Sequence, residues 1–167
     1  MSFVSMIVPT LIFVVGVVDD LRLKKIPNQH TFIFAAVSLL STILISGGTG
    51  LVQGVLACSL ALALTLPLVL GKVLGAGDMK LLAAASLILD WRAVSIILVS
   101  SLVWGALLGV VRAALDGRAM ILFKNTAQLM GGRKADTLEM TKIPFAVALT
   151  FGWFTYLGSF SWGGIQI

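Results

Sequence analysis

The chain has 167 residues, 59% of them hydrophobic and 11% charged, and its 12 Lys and Arg outweigh its 7 Asp and Glu. Soluble domains carry about 25% charged residues, and a soluble core built from a chain of this length could not hide so much apolar surface. The composition therefore excludes a soluble globular domain and indicates an all-α membrane protein, a bundle of about six transmembrane helices that at roughly 20 residues each nearly exhaust one domain over 1–167.

In chain order, Phe3 to Val18 is an uncharged apolar run. No basic segment precedes it and no small-residue cleavage site follows, so it is read as a retained helix rather than a signal peptide. A polar connection, Asp19 to His30, leads to a second span, Thr31 to Ser46, closed by "GGTG" at Gly47 to Gly50. Leu51 to Leu70 is the cleanest span. Gly71 to Lys80 then connects to Leu81 to Leu89, an apolar run whose helical length is only about 14 Å against a hydrocarbon core of roughly 30 Å. This fourth helix either recruits Ala76 to Lys80 or dips partway into a protein-lined cavity. "DWR" at Asp90 to Arg92 forms a turn, with Trp91 as an interfacial anchor. Ala93 to Val111 is a full span, Arg112 to Lys142 is a long polar loop, and Ile143 to Phe160 is the last span. Cys58, the sole cysteine, lies in an apolar run and reads as a buried, inert thiol. His30, the sole histidine, gives a histidine metal site or a Ser-His-Asp triad little material.

The five connections carry charge unequally. The first, third and fifth hold 3, 2 and 6 Lys and Arg, which is 11 of the 12 in the chain. The positive-inside rule then places these three loops in the cytoplasm and both termini outside. The net charge of +5 follows from that bias. Attraction to anionic lipid headgroups accounts for it without a nucleic-acid partner.

The acids divide by position. Asp116, Asp136 and Glu139 sit in the long loop among basic residues and read as solvated loop charge. Asp19 and Asp20 end the first helix, and Asp78 stands at the mouth of the fourth, on the same predicted side. Ionisable residues at the edge of a bundle are costly and suggest function, although a helix-end carboxylate taken alone is more often structural. Two carboxylates brought close cannot both ionise comfortably, so one holds a proton. Such a pair can activate a water and protonate a leaving amine with no metal and no cofactor. Asp78 follows Gly75 and Gly77 in "GAGDMK". Glycine permits positive φ and close approach of another backbone, which would let a substrate strand lie along this loop; packing or a bend is the plainer alternative.

These residues resemble a family. "GAGDMK" is similar to the GxGDxK motif of the type IV prepilin peptidases, a group of membrane aspartic proteases. "DLRLKKIPN", Asp20 to Asn28, resembles the family's first-aspartate motif, an Asp followed seven residues later by the Pro of a Leu/Ile-Pro-Asp/Asn triplet. The spacing to Pro27 selects Asp20 over Asp19. "KIPFAVAL", Lys142 to Leu149, is a weaker likeness to the start of the family's last helix.

The resemblance implies cleavage of the leader peptide from prepilin or pseudopilin substrates at the cytoplasmic face. It makes Asp20 and Asp78 the catalytic pair, with Gly75, Gly77, Lys80, Pro27 and Asn28 as supporting motif residues. Lys80 would be a cation near the dyad or a headgroup contact. Arg22, Lys24 and Lys25 would enforce topology. The chain lacks the paired cysteines of longer relatives and looks like the minimal form found with tight-adherence (Flp-type) pilus systems. Expected partners are the substrates and the lipid bilayer, with no nucleic acid. The loop 115–142 is open to contact with pilus or secretion machinery, or is a flexible connector. Two other classes stay open: a small ion-coupled transporter with Asp20 and Asp78 as proton sites, and a non-catalytic pilus-assembly subunit.

Overall fold

The computed structural model describes residues 3–71, 74–115 and 145–163. Lys72, loop residues 116–142 with Asp116, Asp136 and Glu139, and Lys142 to Pro144 of "KIPFAVAL" lie outside the described residues. Within them the fold is all helical. The elements are α1 (Phe3–Leu23), α2 (Asn28–Leu70), α3 (Ala76–Ser86), α4 (Trp91–Leu115) and α5 (Phe145–Gly163). Three helical stretches are long and apolar enough to cross a membrane: Phe3–Leu23, Asn28–Leu70 and Trp91–Arg112. Large apolar side chains such as Leu11, Leu40, Leu44, Val99 and Val103 stand exposed along them, as expected where the solvent is lipid.

Among the described residues five helical runs stand where about six spans are expected, because the second and third expected spans are joined across a kink in "GGTG" rather than by a loop. The second and third expected spans form one helical run, α2, broken only at Gly47, where φ is 59° and ψ −147°. That backbone conformation is open to glycine and costly for other residues. The break doubles the chain back. Thr42 Oγ1 donates to the Leu87 carbonyl at 2.8 Å, and Gly54 closes on the same carbonyl so tightly that a Cβ there would overlap it. A straight helix would hold Thr42 and Gly54 about 18 Å apart, so the two arms of α2 lie together at this point. Buried residues of the second arm are small: Gly54, Ala57, Ala61 and Thr65. Small residues let helix backbones approach closely where lipid removes the hydrophobic drive between helices. Cys58, next to this stripe, is half-buried rather than buried.

The short fourth span does recruit Ala76 to Lys80, but α3 stops at Ser86 and leaves Leu87 to Leu89 in a turn. Asp90 then caps α4, its Oδ1 accepting the Ala93 N–H at 3.0 Å, and the Arg92 guanidinium lies 5.3 Å from the centre of the Trp91 ring. α1 packs on α5 through Phe13 and Trp153, whose ring centres are 6.1 Å apart, and Trp153 Nε1 donates to Thr10 Oγ1 at 2.8 Å. α1 meets α3 at Gly16, where a Cβ would come within 2.5 Å of Leu81. Leu81, Phe13 and Trp153 are fully buried at the centre of the bundle. The crossing at Gly16 brings the last turns of α1 alongside the start of α3.

Candidate active site

Asp20 lies one turn from the end of α1, which closes at Lys24. Lys24 takes φ of 51°, and its N–H donates to the Asp20 carbonyl at 3.0 Å. This left-handed cap is usually glycine; here it carries a lysine side chain. Asp20 is half-buried and accepts the backbone N–H of Ala146, in the first described turn of α5. Residues in a helix's first turn have N–H groups with no partner within the helix, so this donor is available.

Asp78 is the third residue of α3 and only 7% exposed. Its carboxylate accepts the Gly75 N–H, and its own N–H donates to the Gly75 carbonyl at 3.1 Å. This reciprocal pairing is the acidic half of a capping box, with Gly75 at the cap. The sequence therefore holds the carboxylate against the start of α3 by local bonds. Asp20 and Asp78 line one cleft of about 380 Å³. Asp78 stands outside the three membrane-spanning helices. Burial, and next the charge of Asp20, push its pKa up to about 7, with the Gly75 N–H opposing the rise. Asp19 does not line the cleft. It is buried on another side of α1, and the His30 ring Nδ1 donates to its Oδ2 at 2.5 Å.

The motif glycines act differently from the expectation. Gly75 has φ −75° and ψ 142°, open to any residue. Among the described residues the one glycine with positive φ is Gly47. What Gly75 and Gly77 supply is space. A Cβ at Gly75 would lie 2.8 Å from Asp78 Oδ2, and one at Gly77 would lie 3.3 Å from Ile26. Ile26 is itself buried, so Gly77 lets the segment between α1 and α2 close over the start of α3.

Lys80 lines the cleft that holds Asp20 and Asp78, as a cation near the pair. Its Nζ donates to Asn28 Oδ1 at 2.9 Å, joining the two sequence motifs directly. Pro27 precedes α2 in an extended conformation, and its carbonyl accepts the Thr31 N–H at 3.2 Å. Pro27 faces an adjoining hollow of about 440 Å³ with Leu23 and Gln29. Lys24 and Lys25, assigned from sequence to topology, line the dyad cleft. Sequence reasoning missed that role, and it missed the Ala146 N–H; the weak likeness at the start of the last helix was the one available hint. Among the described residues no three His, Cys, Asp or Glu side chains converge as a metal site.

Comparison with known proteins returns no match among curated proteins and none among solved structures. The family model described as the type IV leader peptidase family matches residues 6–110. That stretch holds Asp20, the Pro27–Asn28 turn and the whole of "GAGDMK". The chain belongs to the type IV leader peptidase family, a family of peptidases.

Proposed function

We propose that this family member is a membrane aspartic endopeptidase that removes the leader from prepilin-like or pseudopilin substrates at the cytoplasmic face, with Asp20 and Asp78 as the dyad. The observation that carries the reading is the convergence of these two carboxylates on one cleft. Asp78, buried and with its pKa pushed up to about 7, is the carboxyl that holds the pair's proton near neutral pH. Asp20, the less buried of the two and bonded to the Ala146 N–H, is the partner that takes the role of base. Asp20 takes a proton from water, and the resulting hydroxide attacks the scissile carbonyl carbon. Asp78 gives its proton to the carbonyl oxygen. As the tetrahedral intermediate collapses, the C–N bond breaks, and the proton now on Asp20 passes to the leaving amine; the carbonyl re-forms and its proton returns to Asp78. Water is thereby added across one peptide bond, and both carboxyls regain their starting states. Lys24, Lys25 and Lys80 lining the cleft support the cytoplasmic placement.

The test is cleavage of a peptide spanning a prepilin leader junction by detergent-purified protein. Cleavage is expected, and it is expected to persist with a chelator because the proposed chemistry runs on carboxylates. Asp20→Asn and Asp78→Asn should each be inactive yet folded, since a neutral amide at a bundle edge costs little. Asp19→Asn should keep most activity, because its amide oxygen still accepts the His30 proton. Wild-type rates in either dyad variant, or loss of activity with a chelator, would remove the dyad. A wild-type chain that cleaves no leader peptide would return the transporter and assembly-subunit readings.

A further inference from the structure

The sole histidine lies outside the lining of the cleft. His30 lies in the first turn of α2, and its Nδ1 donates to Asp19 Oδ2 at 2.5 Å. Asp19 is buried, with its side chain 10% exposed, whereas the ring of His30 is 41% exposed. Phe34, one turn further along α2, packs on the His30 ring with centres 6.1 Å apart and restricts its orientation. Asp19 and Asp20 are neighbours on the last turns of α1, about 100° apart around the helix. A bond that fixes the direction of Asp19 therefore fixes the direction of Asp20. The same first turn of α2 carries Asn28, whose Oδ1 holds Lys80 of α3, two residues beyond Asp78. One helical turn thus bonds to both elements that carry the carboxylates.

We infer that His30 is a positioning residue, whose bond to Asp19 sets the rotation of the end of α1 and so aims Asp20 into the cleft toward Asp78. The inference rests on the aspartic-dyad reading for its effect on cleavage, but the geometry it describes is testable without activity. Without the ring, Asp19 is left as a buried carboxylate lacking this partner, an expensive arrangement, and it regains hydrogen bonds by turning toward water. Turning it carries Asp20 with it. A misplacement of about 1 Å can cost roughly a hundredfold in rate.

His30→Ala should therefore lower kcat ten- to a hundredfold with KM within about twofold of wild type. His30→Asn, whose amide nitrogen can replace the Nδ1 donor, should restore most of the rate. The double variant Asp19→Ala/His30→Ala removes the buried charge as well as the bond. A positioning role predicts that it stays slow; a role limited to neutralising a buried charge predicts recovery, which would overturn the inference. Independently, with Cys58→Ser as background, Asp20→Cys and Asp78→Cys can be bridged in membranes by a short bifunctional thiol reagent. His30→Ala should slow bridging severalfold and His30→Asn should not. Bridging that depends on His30 in a chain whose wild type cleaves no leader would sink the peptidase reading and keep the positioning. Unchanged kcat and unchanged bridging in His30→Ala would sink the positioning and keep the peptidase.

Discussion

Replacing Gly75 by Ala isolates what the first motif glycine contributes. Its φ of −75° and ψ of 142° suit alanine without strain, and the position is exposed, so the fold should hold. Gly→Ala at a compatible site even stabilises by about 0.4–1 kcal/mol through the unfolded chain. The new Cβ, however, would stand 2.8 Å from Asp78 Oδ2, and ordinary contact begins near 3.4 Å. The carboxylate must withdraw by about 0.6 Å, since repulsion rises steeply inside contact distance. If a 1 Å error costs about a hundredfold, an error of this size costs roughly tenfold in kcat. Gly77→Ala meets Ile26 at 3.3 Å instead. That neighbour is apolar, so a few tenths of an ångström of adjustment should cost about 1 kcal/mol of stability and little rate. The assay is leader cleavage under saturating substrate, alongside thermal unfolding in detergent. Gly75→Ala with wild-type kcat, or Gly77→Ala slower than Gly75→Ala, would refute the argument that Gly75 makes room for the carboxylate. Loss of folded Gly75→Ala protein would refute it as well.

Two further predictions concern pH and topology. In the folded chain Asp78 holds its proton more tightly than its usual 3.8, so the folded state binds more protons than the unfolded one between pH 4 and about 7, and stability falls across that window as pH rises. Asp78→Asn removes this loss: its gain in melting temperature over wild type should be largest at pH 8 and shrink toward pH 4, while wild-type cleavage declines above about pH 7, and a gain independent of pH would refute the assignment. From the loop charges, a reporter fused after Ile167 should read as outside and one inserted near Gly132 as cytoplasmic; an outside signal at Gly132 would overturn the proposed orientation and with it the cytoplasmic cleft.

Much of the helical layout was legible because a bilayer demands long apolar runs, and such runs are visible without any contact information. The positions of Asp20, Asp78, Pro27 and Asn28 were legible because they recur in short motifs with fixed spacing. What escaped the sequence was decided by contacts between distant segments. "GGTG" reads as a connection, yet only Gly47 leaves helical geometry, and the two arms it joins meet at the Leu87 carbonyl through Thr42 and Gly54. The glycines before Asp78 suggested positive φ, yet they serve clearance, a property of the atoms opposite them. His30 was set aside for lack of further histidines, and its partner proved to be a carboxylate in the neighbouring helix.

Close packing and polar bonds divide the work of specifying the fold. Along the bundle, helices meet at glycines: Gly16 against Leu81, Gly105 where a Cβ would come within 2.9 Å of Phe145, and Gly152 where a Cβ would come within 2.7 Å of the Ile97 carbonyl. Such contacts fix the distance between helices, and bonds such as Trp153 Nε1 to Thr10 Oγ1 fix rotation there. The proposed sharing of one proton by two carboxylates needs the rotation at the mouth fixed as well. At the mouth that rotation is supplied by directional bonds: Asp19 to His30, Lys80 to Asn28, Asp78 to the Gly75 N–H and Asp20 to the Ala146 N–H. These four charge-assisted bonds lie around the cleft, while the Asp90 cap on the Ala93 N–H stands apart from it. Packing of small residues therefore builds the scaffold, and a short set of charged hydrogen bonds aims the chemistry.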